Sequence, residues 1–490
     1  MRIRPLLAMA AALTVPIGAT TAVAVVWSGD DTGNSSQDGT TGRAPSFTQI
    51  MNSLPPGAAP SPARKSAVPD DFNGDGYRDI AGRGPDRTGG DLITVIYGGP
   101  KGADPARRQV IAAPGGGPSV LTERRTRSAD FDRDGYADLL TLYFNHTTPS
   151  KNTTAIVYGG PRGLTSRTAA LPKATGSLAI GDFDGNGVPD LASTTEVPGD
   201  RHTYDPRNVV VYANPGADPG KAVLSDTERG DYSVGRSLMT GDFNGDRRTD
   251  LLLVASNHLD GLISDSWLEL RPGTAEGLGP TNHLPDEQAE GISASYSAAG
   301  DINGDGRTDL VTTVAPETEL KGTLAVQLAT ASGFGKPRTY KNASLGISDS
   351  LAALRVGDVN ADGRADVILG SYVADDRSGD RVSGSVSVLY GTRTGLDTKS
   401  LRTYSHGFRT IPDRSQAPGQ FGEELSLTDS DRNGKIELVV GAPNRDGKEG
   451  RLYIVTDPAE DLTAKGMRRF TPADLGIAGR KVELGRALLG

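Results

Sequence analysis

A nine-residue acidic turn recurs seven times in this chain, an aliphatic run follows the later copies, and Gly-rich turns close further strands some twenty residues on. These three observations predict an all-β fold: a seven-bladed β-propeller of four-stranded antiparallel blades. Composition agrees. Sixty-four glycines, 31 prolines and 5% aromatic residues describe many short strands joined by tight turns, with a core of Val, Leu, Ile and Ala.

The first elements in order lie before the repeats. Arg2 and Arg4 precede an apolar stretch from Leu6 to Val26, and Ala22 and Ala24 offer a small-x-small cleavage site. Residues 1–27 are therefore expected to be a signal peptide, or an N-terminal anchor, since the run is long enough to span a bilayer. Either reading places the bulk of the chain in a secreted or cell-surface location. Residues 28–67 are rich in Gly, Ser and Thr, then Pro (Pro55, Pro56, Pro60, Pro62), and are expected to be a disordered linker. The propeller is expected over 68–490.

The turns run 71–79 (DFNGDGYRD), 130–138 (DFDRDGYAD), 182–190 (DFDGNGVPD), 242–250 (DFNGDRRTD), 301–309 (DINGDGRTD), 358–366 (DVNADGRAD) and 429–437 (DSDRNGKIE). Their starts are 59, 52, 60, 59, 57 and 71 residues apart. Before the later turns stand alternating stretches such as Leu178 to Gly181 and Leu354 to Gly357, the period-2 signature of a strand. After them come Leu139-Leu140, Leu251 to Val254, Val367 to Leu369 and Leu438 to Val440. Each unit of about 60 residues has room for four short strands. A lone sheet of this kind has exposed edges and two faces to cover, and radial packing solves both problems better than a linear stack. The first turn lacks a leading strand. The last residues, Leu484 to Leu488, match the leading stretches Val234 to Leu238 and Phe421 to Leu425, so the end of the chain is expected to join blade one and fasten the ring.

Positions 1, 3, 5 and 9 of every turn are Asp, Asn or Glu. That is the spacing of a hard-cation site: alternate oxygen donors around a bend, a variable position 7 supplying its backbone carbonyl, and an acid where the next strand begins. The candidate ligands are Asp71, Asn73, Asp75, Tyr77 and Asp79; Asp130, Asp132, Asp134, Tyr136 and Asp138; Asp182, Asp184, Asn186, Val188 and Asp190. They continue with Asp242, Asn244, Asp246, Arg248 and Asp250; Asp301, Asn303, Asp305, Arg307 and Asp309; Asp358, Asn360, Asp362, Arg364 and Asp366; Asp429, Asp431, Asn433, Lys435 and Glu437. Oxygen-only donors point to Ca²⁺, up to seven ions, over zinc, copper or magnesium. Twenty-two of the chain's 61 acidic residues sit at these positions and would repel one another without a counter-ion. Seven Ca²⁺ would change the formal charge from −9 to +5. The fourth turn departs, with Arg247 where the bend favours Gly.

This pattern resembles the FG-GAP repeat of integrin α-subunit heads and of many bacterial surface proteins. The name-giving elements stand clearest in the seventh repeat, as Phe421-Gly422 and Gly441-Ala442-Pro443, and are eroded at Val234-Gly235 and Gly82 to Pro85. The resemblance covers about Val68 to Gly490. It implies a seven-bladed propeller with calcium in the loops of one face, and a role in ligand binding or adhesion.

Other function classes find less support. The chain has no cysteine, and its histidines (His146, His202, His258, His283, His406) form no pair at metal-ligand spacing. No Gly-x-Ser-x-Gly, His-Glu-x-x-His or nucleotide-binding glycine loop is present. An acidic pI of about 5.2 opposes nucleic-acid binding. The expected partner is a glycan, peptide or protein, with no nucleic acid, membrane contact only through an N-terminal anchor, and a monomeric chain. The chain is expected not to be an enzyme; the alternative is an extracellular hydrolase with its site in the central pocket. Arg229-Gly230-Asp231 is an RGD tripeptide, expected as coincidence in a chain so rich in these residues.

Overall fold

The computed structural model describes residues 47–54, 68–85, 90–116, 126–145, 151–197, 205–226, 233–259, 262–289, 292–314, 323–347, 351–375, 381–405, 421–443, 449–459, 466–477 and 482–489. They form seven four-stranded antiparallel sheets arranged as the blades of a propeller. Blade six shows the plan in one continuous stretch. Its inner strand Leu351–Gly357 pairs with Asp366–Asp375, which pairs with Arg381–Thr392, which pairs with the outer strand Gly395–Ser405. Its acidic turn joins the first two strands. The inner strands of successive blades pack against one another around the axis.

No single central core exists. Seven separate apolar clusters each lie between two neighbouring blades, and the seventh closes the circle. There Ile80, Leu92 and Val110 of blade one meet Val439, Leu452, Ile454 and Phe470 of blade seven. This explains the unbroken aliphatic runs after the turns. A second strand is covered on both faces, so successive side chains enter different interfaces. Leu251 and Leu253 face blade three, whereas Leu252 and Val254 face blade five.

Blade one departs from the plan at both of its edges. Residues 47–54 fall within the stretch expected as linker, yet Thr48–Asn52 is a strand paired with the fourth strand of blade one, Asp104–Gly116 (Gln49 opposite Ile111, Asn52 opposite Gln109). Phe47 and Leu54 are buried, and Ile50 and Met51 pack on the interface with blade seven. The linker boundary is corrected accordingly. Four apolar side chains within eight residues suffice for an edge strand, and the Gly/Ser/Pro-rich flanks masked them. The expected signal or anchor at 1–27, the rest of the linker, and the tripeptide Arg229-Gly230-Asp231 lie outside the described residues.

The end of the chain lies along the inner edge of blade one. The Leu489 N–H donates to Ala81 O (3.0 Å), while Leu484 N–H donates to Glu449 O of blade seven (2.9 Å). It is not a regular strand. Its grip is side-chain burial: Val482, Leu484 and Leu488 fill the seam between blades seven and one, and Leu489 that between one and two.

Candidate metal centres

The acidic turns share one set of internal hydrogen bonds, complete in six of the seven, and each bond follows from the residue type at its position. In the first, Asp71 accepts the N–H groups of Asp75 (3.1 Å) and Gly76 (2.7 Å), Asn73 accepts that of Asp75, and Asp75 accepts that of Tyr77. Short Asx side chains bonding the backbone two residues on are what bend the chain. The equivalent position-5 bonds reach Tyr136, Val188, Arg248, Arg307, Arg364 and Lys435. The backbone is left-handed at position 6 of every turn and also at position 4, where Gly74, Gly185, Gly245 and Gly304 alternate with Arg133, Ala361 and Arg432. Arg247 adopts the left-handed conformation (φ 69°) and donates its N–H to Asp242 (2.8 Å), so the fourth turn keeps the fold of the others. It differs in two respects: Asp242 Oδ1 accepts the Gly245 N–H (2.6 Å) where the other turns use position 5, and Asn244 turns its amide toward Asp250.

The ninth position is the deepest. Asp79, Asp138, Asp190, Asp250, Asp309, Asp366 and Glu437 are all buried. In each Asp case one oxygen accepts the N–H of position 2, and the other accepts an N–H at the end of the third strand or just beyond it. For Asp79 these are Phe72 (2.9 Å) and Gly98 (3.0 Å); for Asp366, Val359 (3.0 Å) and Gly391 (2.9 Å). Glu437, one methylene longer, takes both the N–H and the hydroxyl of Ser430. The Gly-rich turns now have a cause. A Cβ on Gly98 would lie 2.4 Å from Arg78 O, and one on Gly159 would lie 2.2 Å from Ala137 O, so glycine fits these two places, whereas Asn214 and Ala329 supply the N–H in blades three and five. Position 2 is the apolar anchor: Phe72, Phe131, Phe183, Phe243, Ile302 and Val359 are buried.

Neighbouring turns are stitched together. Ala137 N–H donates to Asp71 O (2.9 Å), Thr308 N–H to Asp242 O (2.8 Å) and Ala365 N–H to Asp301 O (2.7 Å). Gly99 N–H donates to Ser430 O (3.0 Å), joining blade one to blade seven. The position-7 side chain of one turn also packs over position 4 of the preceding turn: Tyr136 over Gly74, Arg307 over Gly245, Arg364 over Gly304. Sequence reasoning assigned position 7 only a carbonyl. Glycine at position 4 in four of seven turns was the available signal for this cover.

The turns can hold a cation. In the second and third, a carboxylate oxygen from each of Asp130, Asp132 and Asp138, and of Asp182, Asp184 and Asp190, lies within 4.8 Å of the others. Positions 1, 3 and 9 thus converge, and the fifth-position acid of the second turn, Asp134, stands outside its group. Every donor is oxygen, and each carboxylate oxygen that accepts one N–H retains a second lone pair. Electrostatics points the same way. Burial pushes the Asp138 carboxyl up to about 8, opposed by the Gly159 N–H and reinforced by Asp132 and Asp130. Burial likewise lifts Asp366 to about 7 and Asp309 to about 6, and holds Asp79 well above the usual carboxylate range. A bound cation would reverse this strain. In blades one and two a guanidinium already stands at the rim: Arg107 donates to Asp75 (2.5 Å), and Arg167, stacked on the Tyr158 ring, donates to Asp132.

Comparison with known proteins agrees with this geometry. A family model described as FG-GAP-like repeat matches residues 242–312 and 301–369. Integrin alpha pat-2 of Caenorhabditis elegans is 28% identical over 258 residues, covering 47% of this chain and 19% of that protein. Integrin alpha-PS5 of Drosophila melanogaster is 28% identical over 221 residues, covering 43% of this chain and 21% of that protein. The chain spans about a fifth or less of the length of the curated relatives it matches. Among solved structures, a triple arginine-to-alanine variant of AofleA from Arthrobotrys oligospora aligns over 73% of this chain and 92% of its own, at 10% identity and a TM-score of 0.38. Among the described residues no helix is long and apolar enough to cross a membrane. The chain carries FG-GAP-like repeats over residues 242–369 and is a seven-bladed β-propeller similar in sequence to integrin alpha subunits.

Proposed function

We propose that this chain is an exported propeller, secreted or at the cell surface, that holds calcium in its seven turns and serves as a ligand-binding, adhesion or scaffold module. The observation that carries this reading is the sevenfold recurrence of one oxygen-lined turn on one face, with three acids converging in two of the copies. Extracellular calcium sites bind with Kd on the order of 10⁻⁴–10⁻³ M. At millimolar calcium each site would then add about 0.4–1.4 kcal/mol, modest singly and substantial over seven. The ion's role is structural: it offsets the repulsion among acids that the fold itself buries.

A recognition role is favoured over catalysis because the most regular acids are occupied in bonding the backbone and suit a cation. The ligand we expect is polar, a glycan, peptide or protein, since Val223 is the one large apolar side chain exposed among the described residues. The test has two arms. Metal analysis of the dialysed chain should find several Ca²⁺ per molecule, and excess chelator should lower the Tm markedly; an unchanged melt would overturn the calcium reading. A glycan and protein array probed with and without calcium tests the recognition reading, and turnover of a polysaccharide or ester substrate would overturn it.

A further inference from the structure

Where the outer strand of blade five, Arg338–Lys341, meets the hairpin that opens the outer strand of blade six, the two blades leave a cleft of about 260 Å³. Blade five lines it with Val326, Leu328, Gly335, Lys336 and Arg338, and blade six with Thr394 and Gly395. The register explains the lining. Arg338 lies opposite Val326 and Tyr340 opposite Leu324, and Val326, Leu324 and Tyr340 belong to the apolar cluster shared with blade six. Gly395 brings the blade-six hairpin against this face: its φ is 131°, and a Cβ there would lie 2.4 Å from Tyr340 Oη. Arg338 Nη1 then donates to Thr394 O (2.6 Å), and the Leu396 N–H donates to Tyr340 Oη (2.8 Å).

The matching place at another border is filled. Between blades one and two Gln109 stands opposite Val95, as Arg338 stands opposite Val326. Gln109 accepts the Leu164 N–H (3.0 Å) and donates to Leu164 O (2.7 Å), and with Phe47 and Gln49 it leaves no free volume. Between blades seven and one, Arg468 Nη1 donates to Lys101 O (3.2 Å) and lies over the Phe470 ring, as Arg338 lies over that of Tyr340. The reach of Arg338 is thus a clip between blades that recurs. Lys336 is different. Two residues before Arg468 stands Gly466, and two before Gln109 stands Arg107, which is bonded to Asp75. Lys336 is exposed, and among the described residues neither it nor Arg338 pairs with a carboxylate. Asp397, the acid closest in sequence to the blade-six wall, accepts the Lys399 N–H instead (2.8 Å).

We propose that this cleft is a saccharide site for a uronic-acid unit. The Lys336 ammonium and the remaining N–H groups of Arg338 receive the carboxylate, and the C–H face of the ring lies against Leu328 and Val326. The volume is just below the range of about 300–1,000 Å³ typical of drug-sized ligands, which is room for one ring and not for a chain. An acidic side chain of a peptide would satisfy the cations but leave most of the space empty. The inference rests on the recognition reading above, to which it gives a place and a ligand class, and it uses no residue of the acidic turns.

The full-length chain in calcium buffer is titrated calorimetrically with sodium D-glucuronate, sodium D-galacturonate, D-glucose and N-acetyl-aspartate at matched ionic strength. Lys336→Ala and Lys336→Glu change the charge of an exposed side chain. Gly335→Leu fills the cleft and leaves the charge alone, since Gly335 has an ordinary φ and a Cβ there would meet only Leu328 O, at 3.5 Å. At least one uronate should bind saturably and glucose should not. Lys336→Glu should weaken the uronate about tenfold or more, Lys336→Ala less, and Gly335→Leu should abolish binding in a chain that melts like the wild type. Uronate binding no better than that of glucose, or equal in the wild type and all three folded variants, would overturn the proposal. N-acetyl-aspartate bound as tightly as the uronates would overturn the saccharide assignment. Under any of these failures, array hits unmoved by the variants would preserve the recognition reading and strike only this site.

Discussion

Blade six and blade one reach the same four-stranded sheet by opposite routes. Blade six is drawn from one stretch of chain, 351–405, and each strand pairs with its sequence neighbour. Blade one takes its outermost strand from residues 48–52, its three middle strands from 80–116, and its inner edge from 482–489. Local turns are enough to build the first. The second depends on contacts spanning the chain, so the ring is only as closed as blade one is complete. The difference teaches that stability here is distributed evenly over seven interfaces, while vulnerability is concentrated in one blade.

The strongest way to break the comparison is to remove residues 482–490. Val482, Leu484, Leu488 and Leu489 are all buried, and at about 1.5–3 kcal/mol per side chain their loss approaches the whole stability of a typical fold. The truncated chain should not give a cooperative melt or a compact elution volume. A truncated chain that melted within a few degrees of the full length would show that the ring closes without this segment. Next in size is Phe47→Ala, which empties a buried site at the opposite edge. It should cost about 3–5 kcal/mol by chemical denaturation, although a linker residue would cost nothing.

The turns provide the counterpart in which both blades should behave alike. Asp79→Asn in blade one and Asp366→Asn in blade six each keep one acceptor oxygen and set an N–H donor against the other backbone donor, at a cost of about 1–3 kcal/mol apiece. Unequal costs would show that the irregular edges of blade one loosen its turn.

Much of this was legible in the sequence, for a physical reason. An Asx turn is a local structure whose determinants lie within nine residues, so seven copies announced the blades, their number and the candidate cation donors. The ninth acid's second partner was not legible, because Gly98 lies 19 residues beyond Asp79 and the glycine looks like ordinary turn chemistry. The strand at 48–52 was hidden because its ladder partner lies some 60 residues away. The arginines that meet the turns, 32 and 35 residues from their acids, lie beyond the third strands of their blades and carry no local signal at all.

The pH response sharpens the comparison without mutation. In chelator, burial pushes Asp366 up to about 7 and holds Asp79 well above the usual carboxylate range, both above the unfolded value of about 4. A raised carboxyl binds its proton more tightly in the folded state. Its contribution to stability is therefore fully present below about pH 4 and is lost as pH rises through the folded pKa. The chelated chain should melt progressively lower from about pH 5 to pH 8. Calcium should reverse the trend, with the increment in Tm growing as the acids ionise. A calcium increment that stayed constant or shrank over this range would contradict cation binding at these carboxylates.

The smallest effect separates the two blades at their rims. In blade one Arg107, on the strand Asp104–Gly116, donates to Asp75 (2.5 Å) and so competes with a cation from outside the turn. In blade six the competitor on Asp362 is Arg364 (2.8 Å), which belongs to the turn itself and also covers Gly304 of the preceding blade. Removing a partly exposed competitor is worth about 0.2–1 kcal/mol. Arg107→Ala should therefore raise the calcium affinity of one site by about twofold to fivefold, seen as a shift in the tightest phase of a calorimetric or terbium-luminescence titration. Arg364→Ala should gain less, because it also strips a contact that holds neighbouring turns together. The reverse order of the two effects would mean that the guanidinium of Arg107 supports the turn instead of competing for it.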